Sequence, residues 1–326
     1  MKQKVFAAVK LVITVLFFVY IFNQIDLHQF ITTLRNARID ILIAGFLVLW
    51  IGHYICIYRW RLLMRPLMQV PSINQLFGIY CIGLFFNMIF PTLIGGDVVK
   101  IYYAGKPSRK YAQSFAATFL DRDAGMFAMM IIACTAVLLY PITVPNIPVS
   151  IIIWSVFAVF VLGNIAIFVP RLHRLLTDIL RRFNLSKIAT KIDMISSAFQ
   201  IMGKHKVVLL WSLIISFINQ LLVIAVVWIT AIGLQLQVSF YYFLIFVPVI
   251  TIISMIPISI NGMGLREYSF KSLFGAIHVL PASCIALGLV SSIVLILTAL
   301  PGGIVYIFFK NRVDMQQLAA LETEFS

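Results

Sequence analysis

Charge is scarce in this sequence, and acidic charge is scarcest. Of 326 residues, 11% are charged, and only 11 are Asp or Glu against 25 Lys or Arg. A soluble protein has about a quarter of its residues charged. A chain that is 62% hydrophobic also carries more apolar surface than one soluble core of this length can hide. Soluble enzymes are thereby excluded. Four cysteines, Cys56, Cys81, Cys134 and Cys284, lie inside apolar runs and form no CxxC pair. They read as small buried filler, not as a metal site or disulfide framework. There is no Walker A sequence, no HExxH and no HxxxH; His53 and His278 have no carboxylate cluster beside them. Neither an ATP motor of that kind, nor a metal centre, nor any cofactor is expected. The basic excess of +14 is spread between apolar runs. A single basic stripe would suit nucleic acid; this spacing suits the loops of a polytopic membrane protein.

A helix crossing ~30 Å of hydrocarbon needs about 20 apolar residues. The runs of that kind are Val5 to Phe22, Ile41 to Tyr58, Pro66 to Gly96, Ala112 to Tyr140 and Val149 to Val169, then Val207 to Leu265 and Ala282 to Phe309. Asn23, Gln24, Ile25 and Asp26 follow the first run with no small-residue cleavage site, so it is expected to stay as a span. The run from Val207 is too long for one span and is expected to fold back between Gly233 and Ser239. Pro248, Pro257, Gly262 and Gly264 are expected to interrupt its second half.

Charge in the loops orients the spans. If Pro66 to Gly96 crossed fully, the eight basic residues between Arg171 and Lys206 would share the outer side with Lys106 and Lys110. The positive-inside rule opposes this. A re-entrant hairpin at 70–110, turning near Pro91 to Gly96, places 20 of the 25 basic residues inside, Arg59, Arg61, Arg65 and Lys100 among them. A second hairpin at 241–280, entering from the other face, brings the C-terminal tail, 311–326, inside as well. The expected architecture is all-α and polytopic: about six full spans and two re-entrant hairpins, forming an inverted-topology repeat in one domain over 1–326. Residues 1–170 form its first half and 207–310 its second. Broken helices at such a repeat interface are where transporters bind substrate.

Between the halves, 171–206 is the one long polar stretch. Leu172, Leu175, Leu176, Ile179, Leu180 and Phe183 recur on one helical face, with Arg174, Arg181 and Arg182 largely off it. Two readings stand: a plain interfacial connector, or a helix lying on the anionic cytoplasmic leaflet.

Polar residues within apolar runs are costly and mark function. One cluster runs from Asn87 through Pro91, Gly95, Gly96 and Asp97 to Lys100; another runs from Pro257 through Ser259, Asn261, Gly262 and Gly264 to Arg266 and Glu267. In both, Pro ends a half-helix, Gly lets the chain turn, and a new half-helix begins. Its free N–H groups, with Lys100 or Arg266, suit a phosphate. Asp97 and Glu267 either pair with those cations or bind a coupling proton; otherwise Asp97 caps a helix and Arg266 with Glu267 is a structural ion pair. Asp121-Arg122-Asp123 lies roughly 16 Å along a helix from Ala112, with Arg122 expected to pair with a carboxylate such as Asp97.

Phe90 to Lys100, Leu120-Asp121-Arg122-Asp123-Ala124-Gly125 and Pro257 to Glu267 resemble, in order and spacing, the signature blocks of the lysylphosphatidylglycerol synthase transmembrane-region family. Thr92 stands for the family's Ser, Asn261-Gly262 for Gly-Gly, and Asp123 for an apolar residue. The resemblance implies inverted repeats and movement of a charged or glycosylated lipid between leaflets. It also carries over Gly95, Gly96, Asp97, Asp121, Arg122, Arg266 and Glu267 as site positions. The larger synthases continue into a soluble aminoacyl-transferase domain, whereas this sequence stops at Ser326, so lysyl transfer is not expected of it. The expected function is a flippase of a bacterial-type inner membrane. Its partners would be lipids with anionic headgroups, the anionic leaflet and possible enzymes of lipid synthesis. The alternatives are an enzyme acting on a lipid-linked substrate and a non-transporting partner of such an enzyme.

Overall fold

A computed structural model describes residues 2–89, 95–140, 148–256 and 258–309. Pro91, Pro141, Pro145, Pro257, Lys310, Arg312 and the tail 311–326 lie outside the described residues. The described chain is helical, with no strand among those residues. Its helices are α1 (Lys2–Phe22), α2 (Leu27–Arg35), α3 (Ile39–Met64), α4 (Ile73–Ile89), α5 (Gly95–Gly105), α6 (Tyr111–Leu139) and α7 (Val149–Phe168). After these come α8 (Pro170–Arg182), α9 (Ser186–Gly203), α10 (Lys206–Gly233), α11 (Phe240–Ser254), α12 (Leu265–Gly275) and α13 (Pro281–Phe308). Five of them, α3, α6, α7, α10 and α13, are long and apolar enough to cross a membrane. A sixth candidate is α1 with α2, bent by 94° between them. The bend follows from Asp26, which caps α2 by accepting the backbone N–H groups of His28 and Gln29. The protein is a multi-pass membrane protein.

Burial separates the candidate spans. In α13, 67% of the apolar window is covered by other helices; in α7 only 6% is. Thus α13 is central, while α7 offers its sides to the surroundings. Helix α3 packs along α10, α4 along α13, and α6 along α11. Helix α5 packs against α4 and α6, and α12 against α11 and α13. Exchanging α3 to α6, in order, with α10 to α13 turns this set of pairs into itself.

Two pairs of consecutive apolar helices fall short of a span. Those of 17 and 11 residues, α4 and α5, measure about 25 Å and 16 Å, below the ~30 Å of hydrocarbon. Helices α11 and α12 have 15 and 11 residues. In each pair the second helix folds back along the first. Lys100 lies over the ring of Tyr80 at 5.1 Å, and the ring of Phe274 lies 5.0 Å from that of Phe243. Each hairpin has its own apolar core, one around Trp60, Ile82 and Tyr102 and one around Phe243, Phe246 and Phe274.

Two expectations are corrected. Pro248 does not interrupt its run, because α11 continues through it to Ser254. Arg59, expected among the charges that close the span after Tyr58, lies inside α3, which continues to Met64, and is buried. The helix expected over Leu172 to Phe183 is α8; α9 follows it, and the two are tied where Asp193 of α9 meets His173 and Arg181 of α8.

The closest approach within the first hairpin is at Gly96. A Cβ there would overlap the Gly83 carbonyl oxygen and come within 2.6 Å of the Asn87 side chain. Gly96→Ala should cost about 1–3 kcal/mol, seen as a lower unfolding temperature in detergent. Gly163→Ala on α7, with nothing within 4 Å of its Cβ, should leave that temperature unchanged. Equal behaviour of the two variants would contradict the packing described.

Candidate functional site

The end of α4 meets the second hairpin turn. The Asn87 side chain, at the end of α4, accepts the N–H of Gly96 at 2.8 Å and so caps α5. The Asn87 carbonyl in turn accepts the side-chain amide of Asn261 at 2.6 Å. Asn261 belongs to the second turn, where Gly262 and Gly264 have φ of 72° and 80°. Only glycine adopts such values without strain. The turn delivers Leu265 to the start of α12, and Glu267 closes it by accepting the Gly264 N–H at 2.6 Å.

Beside this junction lies a polar cavity of about 360 Å³. Helix α5 contributes Asp97 and Lys100, α6 contributes Asp121 and Arg122, α3 contributes Arg59, and α10 contributes Asn219 and Gln220. Lys100 donates to Asp97 at 3.2 Å, one helical turn away, and Arg122 pairs with the other oxygen of Asp97. The Lys100 ammonium also sits 5.0 Å from the ring of Trp60, a cation–π contact. Arg59 donates to Asp121 at 2.7 Å and to the Ser216 hydroxyl at 2.8 Å. Arg59 and Asp121 are only 4% and 5% exposed. The cavity is therefore lined by three cations, Arg59, Lys100 and Arg122, and two carboxylates, Asp97 and Asp121. One positive charge is in excess. Asp123 faces away from it, toward Asn164 of α7.

A second cavity, of about 250 Å³, adjoins the first; Val223, Val247, Thr251 and Met255 border both. Its lining is apolar apart from Arg266 and a few hydroxyls. Arg266 donates to Ser292 and to the Asn261 carbonyl, both at 3.2 Å. Glu267 is fully buried and accepts from the same Ser292 at 2.7 Å. The two neighbours thus meet through Ser292, with no direct ion pair between them among the described contacts.

The structure brings together Asn87, Asp97, Lys100, Asp121 and Arg122 in one cavity and places Arg266 in the next. Gly95, Gly96, Ser259, Gly262, Gly264 and Glu267 line neither cavity; the glycines and Glu267 shape the turns that support them. Arg59, Ser216, Asn219 and Gln220 were not anticipated from the sequence. Adjacent amides in the middle of the apolar run of α10 were the available signal. Gln220 donates to the Gly125 carbonyl at 3.0 Å. Among the described residues no group of three or more His, Cys, Asp or Glu is arranged to hold a metal ion.

The family model for the lysylphosphatidylglycerol synthase TM region matches residues 7–303. The UPF0104 membrane protein MJ1595 of Methanocaldococcus jannaschii is 28% identical to this chain over 101 residues, 31% of this chain and 30% of that protein. The chain thus spans under a third of that relative's length. No solved structure matches it.

Arg59 and Asp121 make a test of how the site is held. Arg59→Met strands a buried carboxylate and should destabilise the protein by about 3–5 kcal/mol. Adding Asp121→Leu should recover most of that loss in thermal unfolding. Additive losses in the double variant would show that the two side chains do not form one unit.

Proposed function

The chain belongs to the lysylphosphatidylglycerol synthase transmembrane-region family, and on that premise we propose that it is a flippase. It moves an anionic or glycosylated phospholipid between the leaflets of a bacterial-type inner membrane. The observation that carries this reading is the pair of adjoining cavities of opposite character. A charged headgroup resists the bilayer core because its water must be replaced. The polar cavity offers it amide, hydroxyl and guanidinium donors and, among its lining side chains, one more cation than carboxylates. The apolar cavity next to it suits the part of the lipid adjoining the headgroup.

The exchange symmetry of the helix pairs, with Asn87 and Asn261 meeting between the hairpins, supports two inverted halves with the site at their interface. Rocking of one half on the other would expose the cavity to each leaflet in turn. With both termini cytoplasmic, α8 and α9 lie on the inner surface. Leu172, Leu175, Ile179 and Phe183 are exposed there, on a basic stretch that suits an anionic leaflet. An enzyme that supplies the lipid would meet the protein on that same face.

The test is leaflet exchange of labelled lipids in liposomes containing the purified protein. Phosphatidylglycerol should exchange faster than in protein-free liposomes. Lys100→Met removes the excess charge yet leaves Asp97 paired with Arg122, and should slow exchange about tenfold or more without loss of folded protein. Rates equal to protein-free liposomes for every lipid in a broad panel would overturn transport in favour of an enzymatic or recruiting role.

A further inference from the structure

Arg266 is out of place in its cavity. The first cavity collects five charged side chains; the second presents one guanidinium to a lining of valine, leucine, isoleucine, methionine and phenylalanine. Arg266 uses two N–H donors, on Ser292 and on the Asn261 carbonyl. A guanidinium has five, and no ion pair takes up the others among the described residues. Ser291 lines the same cavity, is 8% exposed and has a hydroxyl with no hydrogen-bond partner among the described residues. A buried polar group without a partner is costly and signals a missing one.

Charge decides what that partner is. Glu267, fully buried and joined to Arg266 through Ser292, already balances the guanidinium. An anion added here would leave a net negative charge in apolar surroundings, which is expensive. A neutral hydrogen-bond acceptor satisfies Arg266 and Ser291 and adds no charge. The excess positive charge is next door, where a phosphate belongs. In an acylated phospholipid, the first neutral acceptors beyond the phosphate are the ester carbonyls, and the acyl chains extend from them.

We propose that Arg266 and Ser291 form a linkage subsite that donates hydrogen bonds to the ester carbonyls of the lipid whose phosphate occupies the Lys100–Arg122 cavity. The inference rests on the flippase reading and sharpens it. The protein distinguishes ester-linked lipids from ether-linked lipids with the same headgroup, because an ether oxygen is a poorer acceptor and the carbonyl is gone. A site built to donate a hydrogen bond discriminates against a ligand lacking its partner. The Ser291 hydroxyl bonds to no other group among the described residues, so its removal should leave stability intact.

The experiment compares binding of dipalmitoyl phosphatidylglycerol with its dihexadecyl ether analogue to the purified full chain in detergent, by native mass spectrometry. The ester lipid should bind about tenfold tighter, the worth of a hydrogen bond from a charged donor. Ser291→Ala and Arg266→Gln should each shrink that ratio. Lys100→Met should weaken both lipids and leave the ratio unchanged. Equal binding of the two lipids to the unaltered protein would overturn the linkage subsite and leave the flippase reading standing. So would a ratio that survives both Ser291→Ala and Arg266→Gln. Binding of neither lipid would count against phosphatidylglycerol as cargo and overturn the subsite with it.

Discussion

Five charged side chains share one cavity among apolar helices, and the rest of the molecule is arranged so that they can. An isolated charge in such surroundings costs several kcal/mol even after relaxation. Each one here has a partner: Arg59 holds Asp121, while Lys100 and Arg122 share Asp97. The pairs made by Arg59 and Arg122 join different helices, so α3, α5 and α6 cannot slide past one another without breaking them. Ser216 on α10 is fastened to the same network through Arg59. Because three cations meet two carboxylates, the network closes internally and still presents positive charge to a visitor.

The broken hairpins make room for this arrangement. A continuous span puts apolar side chains across the full depth of a membrane, whereas α4 and α5 are each too short for that. The N-terminus of α5 stands at the cavity, with Asp97 in its first turn. Gly96 brings α5 close enough to α4 for Asn87 to cap it. On the other side, positive φ at Gly262 and Gly264 starts α12 so that Arg266 points into the adjoining cavity. Local backbone chemistry thus sets where charge and hydrogen-bonding capacity stand.

Much of this was legible in the residues alone. The low charge and long apolar runs required a polytopic helical membrane protein, and the Pro/Gly clusters marked where helices stop. Asp97 and Lys100 are one turn apart, so their pairing followed from spacing, and Arg122 needed a carboxylate. Arg59 was not legible. A basic residue after an apolar run normally marks the membrane boundary, and only the packing of α3 against α6 shows that Asp121 reaches it. Pro248 misled for a similar reason: in a helix covered by neighbours, one missing hydrogen bond is tolerated. Asn219 and Gln220 carried no signature motif, and their role depends on which face of α10 meets the cavity.

In the proposed transport cycle the polar cavity holds the phosphate of a lipid while the apolar cavity takes its glycerol linkage and the start of its acyl chains. The most direct measurement is a cryo-EM structure of the protein in nanodiscs rich in phosphatidylglycerol. Phosphate density is expected between Lys100 and Arg122, continuous with density passing Arg266. A cavity holding only water, with well-ordered lipids confined to the outer faces of the helices, would contradict it.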